Sequence, residues 1–297
     1  MKKSLLVAAA LAAATGLAQA DTLKKIKDSG AVTMGVRESS GALSFTLGDG
    51  KFAGFHVEVC QRALADIQKA LGMSKLDIKY KVVTSQNRQP LVQNGTVDIE
   101  CGSTTNNANR QKDVAFAITT FVEEVRMAVK ANSGITSVNQ LNGKKVATTT
   151  GTTSVQHLRR HERATGVNFD EVFGKDHADS FLLLESGRAD AFVMDGQILA
   201  GNIAKAKSPA DFRIAGEVLS VEPIAIMFRK DDPAFKKAVD DSIKAMIKSG
   251  DLAKLYDKWF MQPIPPANTA LRLAASEATK AAWADPNDRP MEAYAKK

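Results

Sequence analysis

Leu184-Glu185-Ser186-Gly187-Arg188-Ala189-Asp190-Ala191-Phe192-Val193-Met194-Asp195 is the stretch from which the fold can be read. A helix predicted over residues 180–186 ends at Gly187, the residue type that most easily turns a chain out of a helix, and an apolar strand follows over 189–195. About ninety residues earlier the same punctuation occurs: a short helix over 88–93 is stopped by Asn94-Gly95 and leads into a strand over 97–101, with Gly95 to Asp98 repeating the Gly-x-x-Asp spacing of Gly187 to Asp190. A turn glycine and a strand-entry aspartate make a slight match. It is nonetheless what two related α/β lobes present.

Outward from these junctions the alternation continues. The pattern predicts a strand over 32–36, then a helix over 57–71, where Val57, Cys60, Leu64, Ile67 and Leu71 recur at helical spacing ahead of Gly72. Leu76, Ile78, Tyr80 and Val82 alternate with polar residues as in a half-buried strand. Further strands are predicted over 145–149 and 224–229, helices over 233–248 and 252–260, and a Pro-rich tail with one more short helix after Met261. Strands alternating with helices predict an α/β fold with largely parallel sheets. A length of 297 residues predicts two lobes rather than one core.

With 44% apolar residues, and 40 Lys plus Arg against 33 Asp plus Glu, the chain has a globular composition and is neither disordered nor collagen-like. Its start reads as a secretory signal over residues 1–20: Lys2 and Lys3, an apolar run over 5–14, then Ala18-Gln19-Ala20 as a cleavage site before Asp21. That run is too short for a bilayer, which needs about 20 apolar residues, and no cysteine follows the cut to take a lipid. Removing Lys2 and Lys3 lowers the net charge from +7 to +5. Export, together with basic residues spread rather than clustered among aromatics, argues against nucleic acid as a partner. In an oxidising compartment Cys60 and Cys101 either bond or remain two buried thiols, and the sequence allows both.

The chemistry-bearing residues gather where predicted strands end. Three turns stand out: Thr84-Ser85-Gln86-Asn87-Arg88, Ser103-Thr104-Thr105-Asn106-Asn107 with Arg110 behind it, and Thr150-Gly151-Thr152-Thr153-Ser154. Singly each reads as helix capping. Together, hydroxyls, free backbone N–H groups and a guanidinium at strand ends are the donors a carboxylate needs.

These turns, with Arg37-Glu38-Ser39-Ser40, Glu100-Cys101-Gly102, Lys175-Asp176-His177, Leu184 to Ala189 and Met194-Asp195, make the chain resemble periplasmic amino-acid-binding proteins of ABC importers, in the glutamate/aspartate-binding branch. The resemblance implies a type II periplasmic-binding-protein fold, with two mixed sheets joined by crossover strands near 123–126 and 220–224. One lobe would comprise 21–123 and 223–297, and the other 124–222. It implies that Arg110, with Thr105 and Thr153, binds an α-carboxylate, that Ser103 and Asp195 take the α-ammonium, and that Arg37, Ser85, Arg88 and His177 hold an acidic side chain. Two guanidiniums and an imidazole around one pocket repel one another unless the guest is an anion, and a neutral amide would leave them unpaired. The expected ligand is L-glutamate or L-aspartate, delivered by a periplasmic monomer to permease subunits, with no cofactor and no metal. His177 would make affinity respond to pH near neutrality.

Two features depart from the family pattern: Ala42-Leu43 where relatives often carry Pro-Phe, and Ile224-Ala225 where they often carry Tyr-Gly. His157 and His161 share a metal-like spacing, but Arg159, Arg160 and Arg163 oppose a cation there, so the pair reads as a solvated basic face. The same fold also hosts exported enzymes resembling cyclohexadienyl dehydratases, for which His177, Asp195, Glu38 or Glu222 would have to serve as acid or base. The sequence shows no hydrolase triad, Walker motif, dinucleotide fingerprint or paired-Cys metal motif. Binding is therefore expected over catalysis, with another polar amino acid as the alternative ligand.

Overall fold

The computed structural model describes residues 20–266 and 268–294, so all of the predicted signal segment except Ala20 lies outside the described residues. Two five-stranded sheets repeat one topology. The first runs in the order Asp77–Val82, Ala31–Val36, Ile99–Glu100, Met227–Arg229, Val114–Phe116. The second runs Asp170–Gly174, Lys145–Thr149, Ala191–Asp195, Phe121–Lys130, Phe212–Ile224. In each sheet the first three strands are parallel and the fourth is antiparallel to both its neighbours.

The repeated Gly-x-x-Asp builds the same joint in both sheets. Gly95 and Gly187, at φ 76° and 73°, turn the chain out of the helices Arg88–Gln93 and His177–Glu185. Each aspartate then clasps the parallel strand beside it. Asp98 donates its N–H to Thr33 O and accepts the Thr33 N–H at Oδ2, both at 2.9 Å. Asp190 does likewise with Lys145, at 2.8 and 3.0 Å. The carboxylate satisfies a strand-end donor that the short ladder leaves open.

Phe121–Lys130 and Phe212–Ile224 are the crossover strands. Their first-sheet ends pair Phe121 with Ile224 and Glu123 with Glu222, and continue to Val125 opposite Ser220. Most of the second strand was not legible beforehand, since Gly216 and a register shift between Ala215 and Ser220 interrupt its alternation. The strand Asp170–Gly174 and the helix Gly196–Lys205 are likewise additions to the predicted elements. The predicted strand over 76–83 is an edge strand, with Tyr80 and Val82 each 38% exposed, so its alternation marks a face covered only in part.

The first lobe's core holds the helices Phe55–Ala70 and Pro233–Ser249 and an aromatic group in which Phe121 and Tyr256 stack on Phe260, at 5.1 and 4.4 Å between centroids. Cys60 and Cys101 are bonded, with their Cα atoms 6.4 Å apart. The bond ties the Phe55–Ala70 helix to the strand end immediately before the Ser103 turn. Across 41 residues of separation, chain entropy assigns such a link roughly 4 kcal/mol. The tail supplies the short helix Glu277–Ala284, whose Thr279 Oγ1 accepts the Val122 N–H at 3.0 Å and whose Trp283 Nε1 donates to Thr120 O at 2.8 Å. The tail therefore rests against the start of the first crossover.

Candidate functional site

The nine residues predicted to hold a ligand lie at or just beyond the C-terminal ends of strands of the two sheets, where the sheets face each other, and all nine are buried. The first sheet supplies Arg37, Ser85, Arg88, Ser103, Thr105 and Arg110; the second supplies Thr153, His177 and Asp195. Strand ends of both sheets thus converge on one cleft, the location expected for ligands in α/β sheets.

The lobes meet there. Arg37 Nη2 donates to Ser85 Oγ at 2.9 Å and to His177 Nε2 at 3.3 Å, and His177 Nδ1 lies 3.0 Å from Thr149 Oγ1. Arg110 Nη1 donates to Thr105 O at 2.9 Å, and Nη2 reaches Gly151 O across the cleft at 3.4 Å. Ser103 Oγ donates to Ser40 Oγ at 3.0 Å. Asp195 precedes the helix Gly196–Lys205 but makes no capping bond to it, so its carboxylate is free of the structural role such a position usually carries. Arg37 Nη1, Arg88 Nε and Arg88 Nη1 are buried and have no hydrogen-bond partner among the described residues. Beside Arg110 and Gly151 a groove of about 560 Å³ opens to solvent.

The electrostatics follow from burial. Arg37 and Arg110 are pushed down to about 9 by burial and then by the charge of Arg88, yet stay cationic at neutral pH. Burial lowers Arg88 as well. His177 is held well below its ordinary range by burial, then by Arg37 and Arg88. It is therefore neutral, and because Arg37 can only donate, His177 Nε2 accepts and its proton sits on Nδ1 toward Thr149. The expectation that His177 titrates near neutrality is corrected: burial, and then two nearby guanidiniums, disfavour its charge. Asp195 is the group that moves toward neutrality, pushed up to about 7 by burial and by Glu222 against the pull of the three arginines. Glu123, beside it, is raised by burial and by Asp195.

The structure also brings in residues outside the predicted set. Glu100 is fully buried beneath the arginines, and its Oε2 accepts from Thr104 Oγ1 at 2.6 Å. A Cβ on Gly102 would fall 2.2 Å from Glu100 Oε1 and 2.7 Å from Arg37 Cγ, so only glycine fits between this carboxylate and the aliphatic stem of Arg37. Glu100 Oε1 is itself buried with no hydrogen-bond partner among the described residues. His157 corrects the solvated-face reading: it is 3% exposed, and its Nε2 donates to Glu222 Oε1 at 2.5 Å. The helix Thr153–Thr165 buries Thr153, Ser154, His157 and Leu158, one face at helical spacing, while the arginines lie elsewhere around it. Glu38 is exposed, at a crevice between the lobes that Ala178 and Asp179 also line.

Two similar α/β lobes on two crossover strands, closed over buried and oppositely charged groups, are the build of a type II periplasmic binding protein. The chain belongs to the bacterial extracellular solute-binding proteins, family 3, whose description matches residues 32–262. It is 45% identical over 273 residues to an L-glutamate/L-aspartate-binding protein of Pseudomonas aeruginosa, covering 91% of this chain and 90% of that one. It is 43% identical over 290 residues to the glutamate/aspartate import solute-binding protein of Escherichia coli K12, covering 95% and 96%. Among solved structures, a crystal structure of a mutant ArgBP from T. maritima superposes with a TM-score of 0.72 at 26% identity, over 82% of this chain and all of that one.

Proposed function

We propose that this chain is the periplasmic component of an ABC importer and captures L-glutamate or L-aspartate between its lobes for delivery to membrane permease subunits. The observation that carries the ligand class is the buried pair Arg37 and Arg88, whose three nitrogens without a partner among the described residues call for a guest with a carboxylate at that place. Arg110 and the N–H groups of the Thr105 and Thr153 turns face the α-carboxylate, and Asp195 with Ser103 faces the α-ammonium. Ser85 and His177 act on the side-chain carboxylate by orienting Arg37, since His177 has only an acceptor left on that side. The relatives aligned over nine-tenths of the chain are import and binding proteins, which agrees with this reading. The protein binds and is not an enzyme, in line with its relatives of the solute-binding family, and the His177 imidazole is committed between Arg37 and Thr149. Residues 21–123 and 223–297 form one lobe and 124–222 the other, the signal is cleaved after Ala20, and the protein acts as a monomer.

Calorimetric titration of the chain, freed of carried-over ligand by unfolding and refolding, against glutamate, aspartate, glutamine, asparagine and histidine tests this. Saturable binding of glutamate or aspartate with weak amide binding is expected. Tighter binding of an amide or of histidine would overturn the cationic side-chain pocket.

A further inference from the structure

Glu222 has a place in the cleft that ligand contacts do not account for. It sits on the second crossover strand with its side chain fully buried, and its two oxygens gather donors from both lobes. Thr105 Oγ1 reaches Oε2 at 2.6 Å from the first lobe, while Thr153 Oγ1 reaches it at 2.8 Å and His157 Nε2 reaches Oε1 at 2.5 Å from the second. Burial pushes this carboxyl up, but the His157 bond and the two hydroxyls outweigh it and keep Glu222 ionised. Other polar contacts between the lobes are longer: Arg110 to Gly151 O at 3.4 Å, Arg37 to His177 at 3.3 Å, Ala178 N–H to Ser39 Oγ at 3.2 Å, and Ala42 N–H to Gln197 Oε1 at 3.1 Å.

A threonine hydroxyl has one proton to give. Those of Thr105 and Thr153 are both given to Glu222, so neither hydroxyl can donate to a ligand carboxylate while this arrangement stands. Each residue retains its backbone N–H and its oxygen lone pairs. We propose that Glu222, oriented by His157, is the positioning residue that latches the closed lobes, and that the Thr105 and Thr153 hydroxyls serve this latch rather than the ligand. The inference rests on the reading of the chain as an amino-acid-binding protein. Opening the cleft must strip donors from a buried carboxylate, and a ligand leaves only after opening. The latch therefore lengthens the bound lifetime and leaves capture by the open form nearly unchanged.

His157 contacts Glu222 through Nε2, and its Nδ1 has no partner among the described residues, so it can be changed without touching the ligand contacts proposed above. Stopped-flow measurement of glutamate association and release on the full chain should show His157→Leu releasing about tenfold faster, equivalent to about 1.4 kcal/mol, with association within about twofold of the parent. His157→Gln, whose amide N–H can reach Oε1, should recover most of the lifetime, which a general loss of packing would not allow. If His157→Leu does not fold, His157→Asn, whose amide is too short to reach Oε1, replaces it with the same expectation. Release within about twofold of the parent, or His157→Gln behaving no better than leucine, overturns the latch. If the parent binds no acidic amino acid, the functional reading fails separately. X-ray scattering of the ligand-free chains then decides the latch: a more extended His157→Leu supports it, and identical curves overturn it.

Discussion

Replacing Arg88 by Met should move affinity and stability in opposite directions. Methionine keeps a long unbranched side chain and removes the charge. Arg88 is 2% exposed, and neither Nε nor Nη1 has a partner among the described residues. Its pKa lies below the ordinary arginine value because burial disfavours the cation more than Glu100, Asp195 and Glu222 favour it. A fold that lowers an arginine pKa is made less stable by that arginine's charge. Removing two unsatisfied buried donors should return about 1–3 kcal/mol to the ligand-free protein, a Tm rise of about 2–4 °C per kcal/mol at this size. With glutamate bound, the same donors meet a carboxylate, and charge-assisted bonds worth about 1.5–3 kcal/mol are lost, a weakening of about 10- to 150-fold. Glutamine, whose amide never satisfied the cation, should lose far less, so the glutamate-to-glutamine preference collapses. Scanning calorimetry of the ligand-free variant and titration with both amino acids read the two arms. A lower Tm with parent-like selectivity would refute the assignment of Arg88 to an anionic guest.

Two other outcomes follow from groups near Arg88. Asp195 is pushed up to about 7 in the ligand-free cleft and must be ionised to face an ammonium, so binding releases a proton. Affinity should be flat above pH 7 and fall by up to about tenfold per unit as the pH drops below it, and equal dissociation constants at pH 5.5 and 8 would remove Asp195 from the ammonium site. Gly102→Ala should displace the Arg37 stem and the Glu100 carboxylate, because the new Cβ would lie 2.7 Å from Arg37 Cγ and 2.2 Å from Glu100 Oε1. A cost of about 1–3 kcal/mol in urea unfolding and at least about tenfold in glutamate affinity is expected, and parent-like titration curves would show that the cradle has room.

The sequence was legible where chemistry and chain direction coincide. Thr84 to Arg88, Ser103 to Thr105 and Thr152 to Thr153 each follow a strand, so their hydroxyls and N–H groups could be placed at strand ends before any coordinates, and the Gly-x-x-Asp joints announced two similar sheets. What escaped was set by distance along the chain. Glu222 could be named as a titratable candidate but not given its partners, which lie 117, 69 and 65 residues away along the chain. His157 was hidden by its arginine neighbours, although its spacing of three from Ser154 and four from Thr153 placed it on their side of the helix. The pairing of Cys60 with Cys101 needed the geometry as well, since two cysteines in an oxidising compartment allow either state.

The distribution of charge between the lobes bears on what can close them. Arg37, Arg88 and Arg110 all project from the first lobe, whereas Asp195 lies on the second, and Glu123 and Glu222 lie on the crossovers. An acidic amino acid carries the matching polarity: two carboxylates for one side and an ammonium for the other. Such a ligand pairs the cations and the carboxylates at once, and neither group is then left buried alone. A dicarboxylic acid without the ammonium would satisfy the arginines but bring a further negative charge beside Asp195, which Glu222 already pushes toward protonation. An amino acid with a neutral side chain would satisfy Asp195 and Arg110 but leave Arg88 unpaired. On the proposed assignment of these residues, closure is favourable only when both sets of charges are paired, which would place selectivity in the closed state and not in either lobe by itself.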